Sequence, residues 1–422
     1  MTSDGDLFPS VFEPTDTEKI GLIGLLQNRS FAAFWGGFVG FRVADALFLM
    51  SVFWWVLDVT GSESMLSIVG IFNYLPGFLL GLVAGLLTDM FDRKRILLLS
   101  AVSRAILMIL IPLLNHFFII EMWHIYVIVF LLGSAFTLFL NSASAIIPQL
   151  AREEQLMAAN SLVDVGSWSA NILGYLIGGL MIESFGVMST LLLATFSMVF
   201  ASFSLIFLRA RSRRDDEDVS SRAALQNLKE GIESIKQDHG VAILIGTWYG
   251  FQILFGAGPM SIGLPVFARE VLGTGAEGYG FITVAIAIGS LLLSIALGQK
   301  SPKSNRAKLM MLGYLWGSFG MFIFSLTNTL VTAIIVAFLW NLCYPLINIS
   351  FMSVIHQRVP EKRLGTVFGF GGTLAQGMTP ISIAITGFIM ENISIVLPFQ
   401  LFAGALGLCF FLMLVSSEIR RL

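Results

Sequence analysis

The chain predicts an all-α membrane protein of twelve spans arranged as two pseudo-symmetric six-helix halves, and three observations lead there. Hydrophobic residues fill 56% of the 422 positions, while Asp, Glu, Lys and Arg fill only 12%, about half the charged share of an ordinary soluble domain. Apolar runs of about 20 residues, enough to cross about 30 Å of hydrocarbon as a helix, recur along the whole chain. Short signatures repeat at a spacing of about half its length.

The runs fall near 31–57, 65–88, 96–114, 124–144, 157–183 and 187–208, then near 241–267, 279–298, 308–327, 329–354, 365–390 and 396–416. They are continuous rather than alternating, which selects helices over barrel strands. The organisation is therefore a tail 1–30, a first half 31–208, a linker 209–240, a second half 241–416 and a tail 417–422. The first twenty residues are acidic and lack an apolar run, so no cleavable signal is expected there. The linker opens on RARSRR and DDED. Beyond Ser221, residues Leu225, Leu228, Ile232 and Ile235 recur at helical spacing, which fits a surface helix or an ordinary charged connector.

Charge sorting sets the expected orientation. With the N-terminus counted as cytoplasmic, the cytoplasmic segments collect 22 of the 25 Lys and Arg residues. Arg269 alone falls on the other side, and Arg42 and Arg104 lie inside spans. The positive-inside rule then puts both termini in the cytoplasm. A net charge of -2 gives no support to nucleic-acid binding. Cys343 and Cys409 sit in apolar runs and read as buried hydrophobes. The four histidines (116, 124, 239 and 356) are scattered, and no phosphate loop, zinc helix or nucleophile elbow occurs. No catalysis, cofactor or metal is expected, and nothing points beyond a monomer.

Thr60-Gly61-Ser62-Glu63 before the second span matches Thr274-Gly275-Ala276-Glu277 before the eighth, and Ile147-Pro148 matches Val359-Pro360. The offsets, 214 and 212, share nearly half of 422, as expected for duplicated halves related by an axis along the membrane normal.

The loop after the second span reads Gly85-Leu-Leu-Thr-Asp89-Met-Phe-Asp92-Arg93-Lys94-Arg95. It resembles the cytoplasmic signature of the major facilitator superfamily: glycine, three residues, aspartate, then a basic cluster. Met90 and Asp92 depart from the general form, and Asp92 before basic residues resembles the macrolide-efflux and enterobactin-exporter branch. Leu26-Gln27-Asn28-Arg29, Asp45, the 145–150 and 159–162 segments, Leu264-Pro265 and Gly278-Tyr279-Gly280 carry the resemblance through the chain. It implies the major-facilitator fold, with Gly85 permitting close helix approach and Asp89 and Arg93 latching the seam between halves. Gly174-Tyr175-Leu176-Ile177-Gly178-Gly179 resembles the antiporter motif of the drug exporters, with Tyr175 in place of proline, and also reads as a small-residue packing stripe.

A charge at mid-bilayer costs at least about 2.5 kcal/mol, so those in the spans need partners or water. Arg42 and Asp45 share one face of span one, Arg104 lies in the middle of span three, and Asp164 lies early in span five. Asp45 and Arg42 are the proton-coupling candidates, and Asp45 has two open roles, a carboxylate that accepts a transported proton under the influence of a nearby arginine or a permanent ion pair with Arg42 or Arg104. Trp168, Asn171 and Tyr175 join Asp164 on one face of span five, and Asn341, Tyr344 and Asn348 share a face of span ten. With Gln252 and Gln376 they are candidates for lining a cavity suited to an amphipathic substrate. The resemblance thus implies a secondary transporter exporting small drug-, macrolide- or siderophore-like molecules by proton antiport. An uncoupled facilitator or a flippase of a lipid-like molecule is the alternative.

Overall fold

A computed structural model describes residues 22–209, 238–299 and 306–416. Residues 1–21 of the first tail, the 225–235 pattern of the linker and the tail 417–422 lie outside the described residues. The first half contains α1 (Arg29–Thr60), α2 (Glu63–Met90), α3 (Arg93–His116), α4 (Met122–Leu150), α5 (156–185) and α6 (187–206). The second contains α7 (His239–Val271), α8 (Ala276–Gln299), α9 (Arg306–Ser325), α10 (Leu330–Arg358), α11 (Glu361–Asn392) and α12 (Leu397–Val415). Among the described residues eleven helical stretches are long and apolar enough to cross a membrane, and one of them holds both α5 and α6. These two run on without a loop and are divided at Gly186, whose φ of 80° and ψ of 167° break the helical path. Separated there, they complete the expected twelve.

Local chemistry fixes the helix ends. The Asn28 side chain accepts from the Ser30 and Phe31 amides at the start of α1, and Asp92 accepts from the Arg95 amide at the start of α3. Gly61, with φ of 59°, ends α1 in the left-handed conformation, and Ser62 then caps α2. The first copy of the tetrapeptide is therefore a stop-and-start signal, whereas before α8 the left-handed glycine is Gly273, just outside the second copy. In a membrane the backbone must satisfy itself, and α7 does so despite three π-helical turns, at Gly246–Phe251, Pro259–Gly263 and Phe267–Val271. The Gly258 amide beside Pro259 donates instead to Ser382 Oγ of α11, at 2.8 Å.

Within the first half α1 packs on α5 and α6, α2 on α4, and α3 on α4 and α6. Across the halves α2 meets α11 and α5 meets α8. One end of the bundle carries Arg93, Lys94, Arg95, Arg152 and Arg358, and the other Asp58, Glu63, Glu183, Glu277 and Glu391. The halves touch at the acidic end. Glu391 accepts from the Ser64 amide (2.8 Å) and Ser62 Oγ (3.2 Å), and Arg269 pairs with Asp58 at 3.1 Å. Close approach continues inward to Gly77, where an added Cβ would stand 2.7 Å from Gln376 Oε1. At the basic end no described residue comes within 4 Å of a Cβ added at Gly85, Gly365 or Gly369.

Candidate functional site: a charged cavity at mid-span

Arg42 and Asp45, three residues apart on α1, project together because a helix returns to one face after three or four residues. Asp45 Oδ1 is in direct contact with Arg104 Nη2 of α3. Arg104 also donates to the Leu132 carbonyl of α4 at 2.7 Å and lies over the rings of Phe41 and Phe136, 5.0 and 5.4 Å from their centroids. It is 1% exposed. Arg42 stands further off, its Nη1 3.9 Å from Asp45 Oδ2 and its Nη2 3.5 Å from Asn171 Oδ1 of α5.

These groups border a cavity of about 580 Å³. Of the residues singled out in the sequence, Arg42, Asp45, Asn171, Tyr175 and Gln376 line it. Asn73 and Tyr74 of α2, Thr137, Asn141 and Ser144 of α4, and Thr379 of α11 line it as well, and sequence reasoning missed them. Their signal was available: each is a polar residue inside an apolar run, the criterion that singled out Asn171. Phe136, Leu49 and Leu140 supply apolar wall. The lining comes mostly from the first half.

The remaining candidates are elsewhere. Asn341, 9% exposed, donates to the Ile286 carbonyl of α8 at 2.8 Å, where α10 is interrupted between Trp340 and Cys343. Asn348 reaches Tyr344 Oη at 3.5 Å, and Tyr344 meets the rings of Trp168 and Trp248 edge-on and tilted, at 6.4 and 5.7 Å. These form an aromatic contact between α5, α7 and α10 outside the cavity wall. Gln252 Oε1 is buried without a hydrogen bond, and Asp164 is exposed.

At the basic end Arg93 stands 3.9 Å from Asp89 and donates to the Ala145 carbonyl of α4, while Lys94 donates to the Ile206 carbonyl at 2.9 Å. Among the described residues nothing comes within 4 Å of a Cβ added at Gly85, so the expected close helix approach is not made there in this conformation. The α5 glycines face two ways. Gly174 and Gly178 abut Ala46 and Met50 of α1, whereas an added Cβ on Gly179 would stand 2.8 Å from the Ala276 carbonyl of α8. The stripe therefore packs one half and also seals it to the other. Among the described residues no three His, Cys, Asp or Glu side chains are grouped to hold a metal.

Residues 34–383 match the sequence model of the Major Facilitator Superfamily. The chain belongs to this superfamily. It is accordingly a multi-pass integral membrane protein and a transporter of small substrates, not an enzyme. It is 27% identical over 335 residues to the MFS-type transporter YfiS of Bacillus subtilis, covering 77% of this chain and 78% of that one. It is 21% identical over 408 residues to Macrolide efflux protein A of Streptococcus pyogenes (93% and 97% covered). With the multidrug efflux pump Tap of Mycolicibacterium fortuitum it shares 25% over 350 residues (79% and 82%). Among solved structures, the nucleoside transporter NupG superposes with a TM-score of 0.72 at 12% identity, over 92% of this chain and 99% of that one. A POT family transporter gives 0.70 at 13%, over 92% and 96%. These structural likenesses show the fold alone.

Proposed function

We propose that this superfamily member exports small amphipathic molecules across a bacterial cytoplasmic membrane in exchange for protons, as a monomer with both termini cytoplasmic. The two halves rock about the central cavity, exposing it to each side in turn. The reading rests on one observation: a cavity of about 580 Å³ whose wall combines apolar and aromatic surface with amide side chains and one carboxylate, Asp45. Such a wall desolvates an apolar body and orients its polar atoms. A mid-membrane carboxylate is a natural proton carrier. The likeness to Macrolide efflux protein A over 93% of this chain supports the outward direction.

A second reading draws on the contact between Asp45 and Arg104. A carboxylate held by a buried guanidinium can serve as a permanent part of the fold, and the protein would then be an uncoupled facilitator or a flippase of a lipid-like molecule. Reconstitution in liposomes separates the two. Uptake of dyes, macrolides and catecholate siderophores is measured with and without an imposed pH gradient, for wild type and Asp45→Asn. Proton exchange requires gradient-driven movement that Asp45→Asn abolishes. Transport indifferent to both would leave the facilitator.

A further inference from the structure

We infer that the cavity selects amphipathic monoacids, whose carboxylate or equivalent single anion docks on the Arg42 guanidinium. This inference rests on reading the cavity as the substrate site and names the class of molecule it takes.

The charges do not balance. Arg42, Arg104 and Asp45 cluster at mid-span, two positive against one negative, and Arg42 and Asp45 are the charged residues of the cavity wall. Asp45 is in contact with Arg104, which spends a further donor on the Leu132 carbonyl and lies against two aromatic rings. That pair is satisfied in the protein, apart from the Arg104 Nε. Arg42 is not. Its distance of 3.9 Å to Asp45 is too long for a hydrogen bond, its 3.5 Å contact with Asn171 is at the outer limit, and its Nε is buried with no hydrogen bond at all.

A guanidinium with five donors and almost no acceptors, at a depth where a charge is costly, is a site for an anion that arrives with the substrate. The planar fork of arginine matches a carboxylate through two parallel hydrogen bonds. Asn171 beside it, and Tyr74 and Tyr175 in the same wall, offer further donors, while Phe136, Leu49 and Leu140 offer surface for an apolar body. An amine would face the net positive cluster instead.

The test is equilibrium binding of three probes with one ring system, 2-naphthoate, its neutral amide and 2-naphthylmethylamine, to the protein in phosphatidylcholine nanodiscs at neutral pH with no gradient. The expected result is that the acid binds at least about tenfold tighter than the amide, as charge-assisted bonds to one guanidinium supply, and that the amine binds most weakly. Arg42→Gln should erase the advantage of the acid over the amide, and amide binding that persists reports an intact cavity. If Arg42→Gln binds nothing, Arg42→Lys decides, with the expectation that the acid loses affinity severalfold and the amide does not. Equal binding of the three probes, failure of the acid to bind, or an acid preference that survives Arg42→Gln or is unaltered by Arg42→Lys overturns the inference. Adding phosphatidylglycerol identifies the source of the anion: competition assigns it to a lipid, and indifference to a free acid. Because no gradient is applied, an acid preference can persist where proton exchange fails, and the reverse, so the two failures are distinguishable.

Discussion

Asp45 of α1 and Arg104 of α3 are in direct contact inside the first half, and this contact separates one arginine bound into the fold from another, Arg42, left facing the cavity. The division has a consequence for stability. Removing one member of a buried pair strands the other charge, at a cost of about 3–5 kcal/mol. Arg104→Gln should therefore lower the melting temperature in detergent markedly. Arg42→Gln, which removes a charge with few partners, should leave it nearly unchanged. Equal losses would mean that Arg42 is as much a part of the scaffold as Arg104.

The acidic end predicts a pH dependence of conformation. The space beside Gly275 is crowded by one carboxylate oxygen of Glu183 and one of Glu277, from opposite halves, and Glu277 Oε2 is buried without a hydrogen bond. Two ionised carboxylates repel, so the contact between halves at this end is weakest when both are charged. Acidification, or Glu277→Gln, should strengthen it. The measurement is the distance distribution between spin labels at Val59→Cys and Ile393→Cys, with Cys343 and Cys409 replaced. A shift toward short distances on acidification in wild type, already present at neutral pH in Glu277→Gln, is expected. No shift in either case would remove these carboxylates from the balance.

The glycines of α5 divide in the same way between fold and motion. Gly174→Ala adds a methyl against Ala46 within one half, and overpacking of that kind costs about 1–3 kcal/mol. Gly179→Ala adds it against the α8 backbone across the seam. The first substitution should lower thermal stability. The second should instead move the spin-label distances outward with a smaller change in melting, because the halves can part to make room. Identical behaviour of the two variants would argue that the seam is as rigid as the packing inside a half.

The architecture was legible because span length and hydrophobicity are written continuously along the chain, and even the unlooped joint at Gly186 fell between two runs that the sequence separated. The cluster of Arg42, Asp45 and Arg104 was legible for a similar reason: charges inside apolar runs have few places to go. Their pairing was not. Which arginine takes Asp45 depends on the placement of α3 against α1, a tertiary fact with no local signature. The cavity lining was read in part, since a polar residue in a span can face a cavity, as Asn171 does, or a neighbouring backbone, as Asn341 does. Helical periodicity gives the face but not what lies opposite.

That last pair makes a discriminating experiment. Asn171 borders the cavity and offers its Oδ1 to Arg42, whereas Asn341 spends its amide on the Ile286 carbonyl at the break in α10. Interhelical hydrogen bonds in membranes are worth about 0.6 kcal/mol on average. Asn341→Ala should thus lower stability slightly and leave the concentration dependence of transport as it was. Asn171→Ala removes the side-chain amide that meets Arg42, alters the cavity wall and should change the KM for transported molecules severalfold with little effect on melting. If Asn341→Ala instead changed KM while Asn171→Ala did not, the substrate path would have to run along α10 and the aromatic contact of Trp168 with Tyr344, outside the cavity described above.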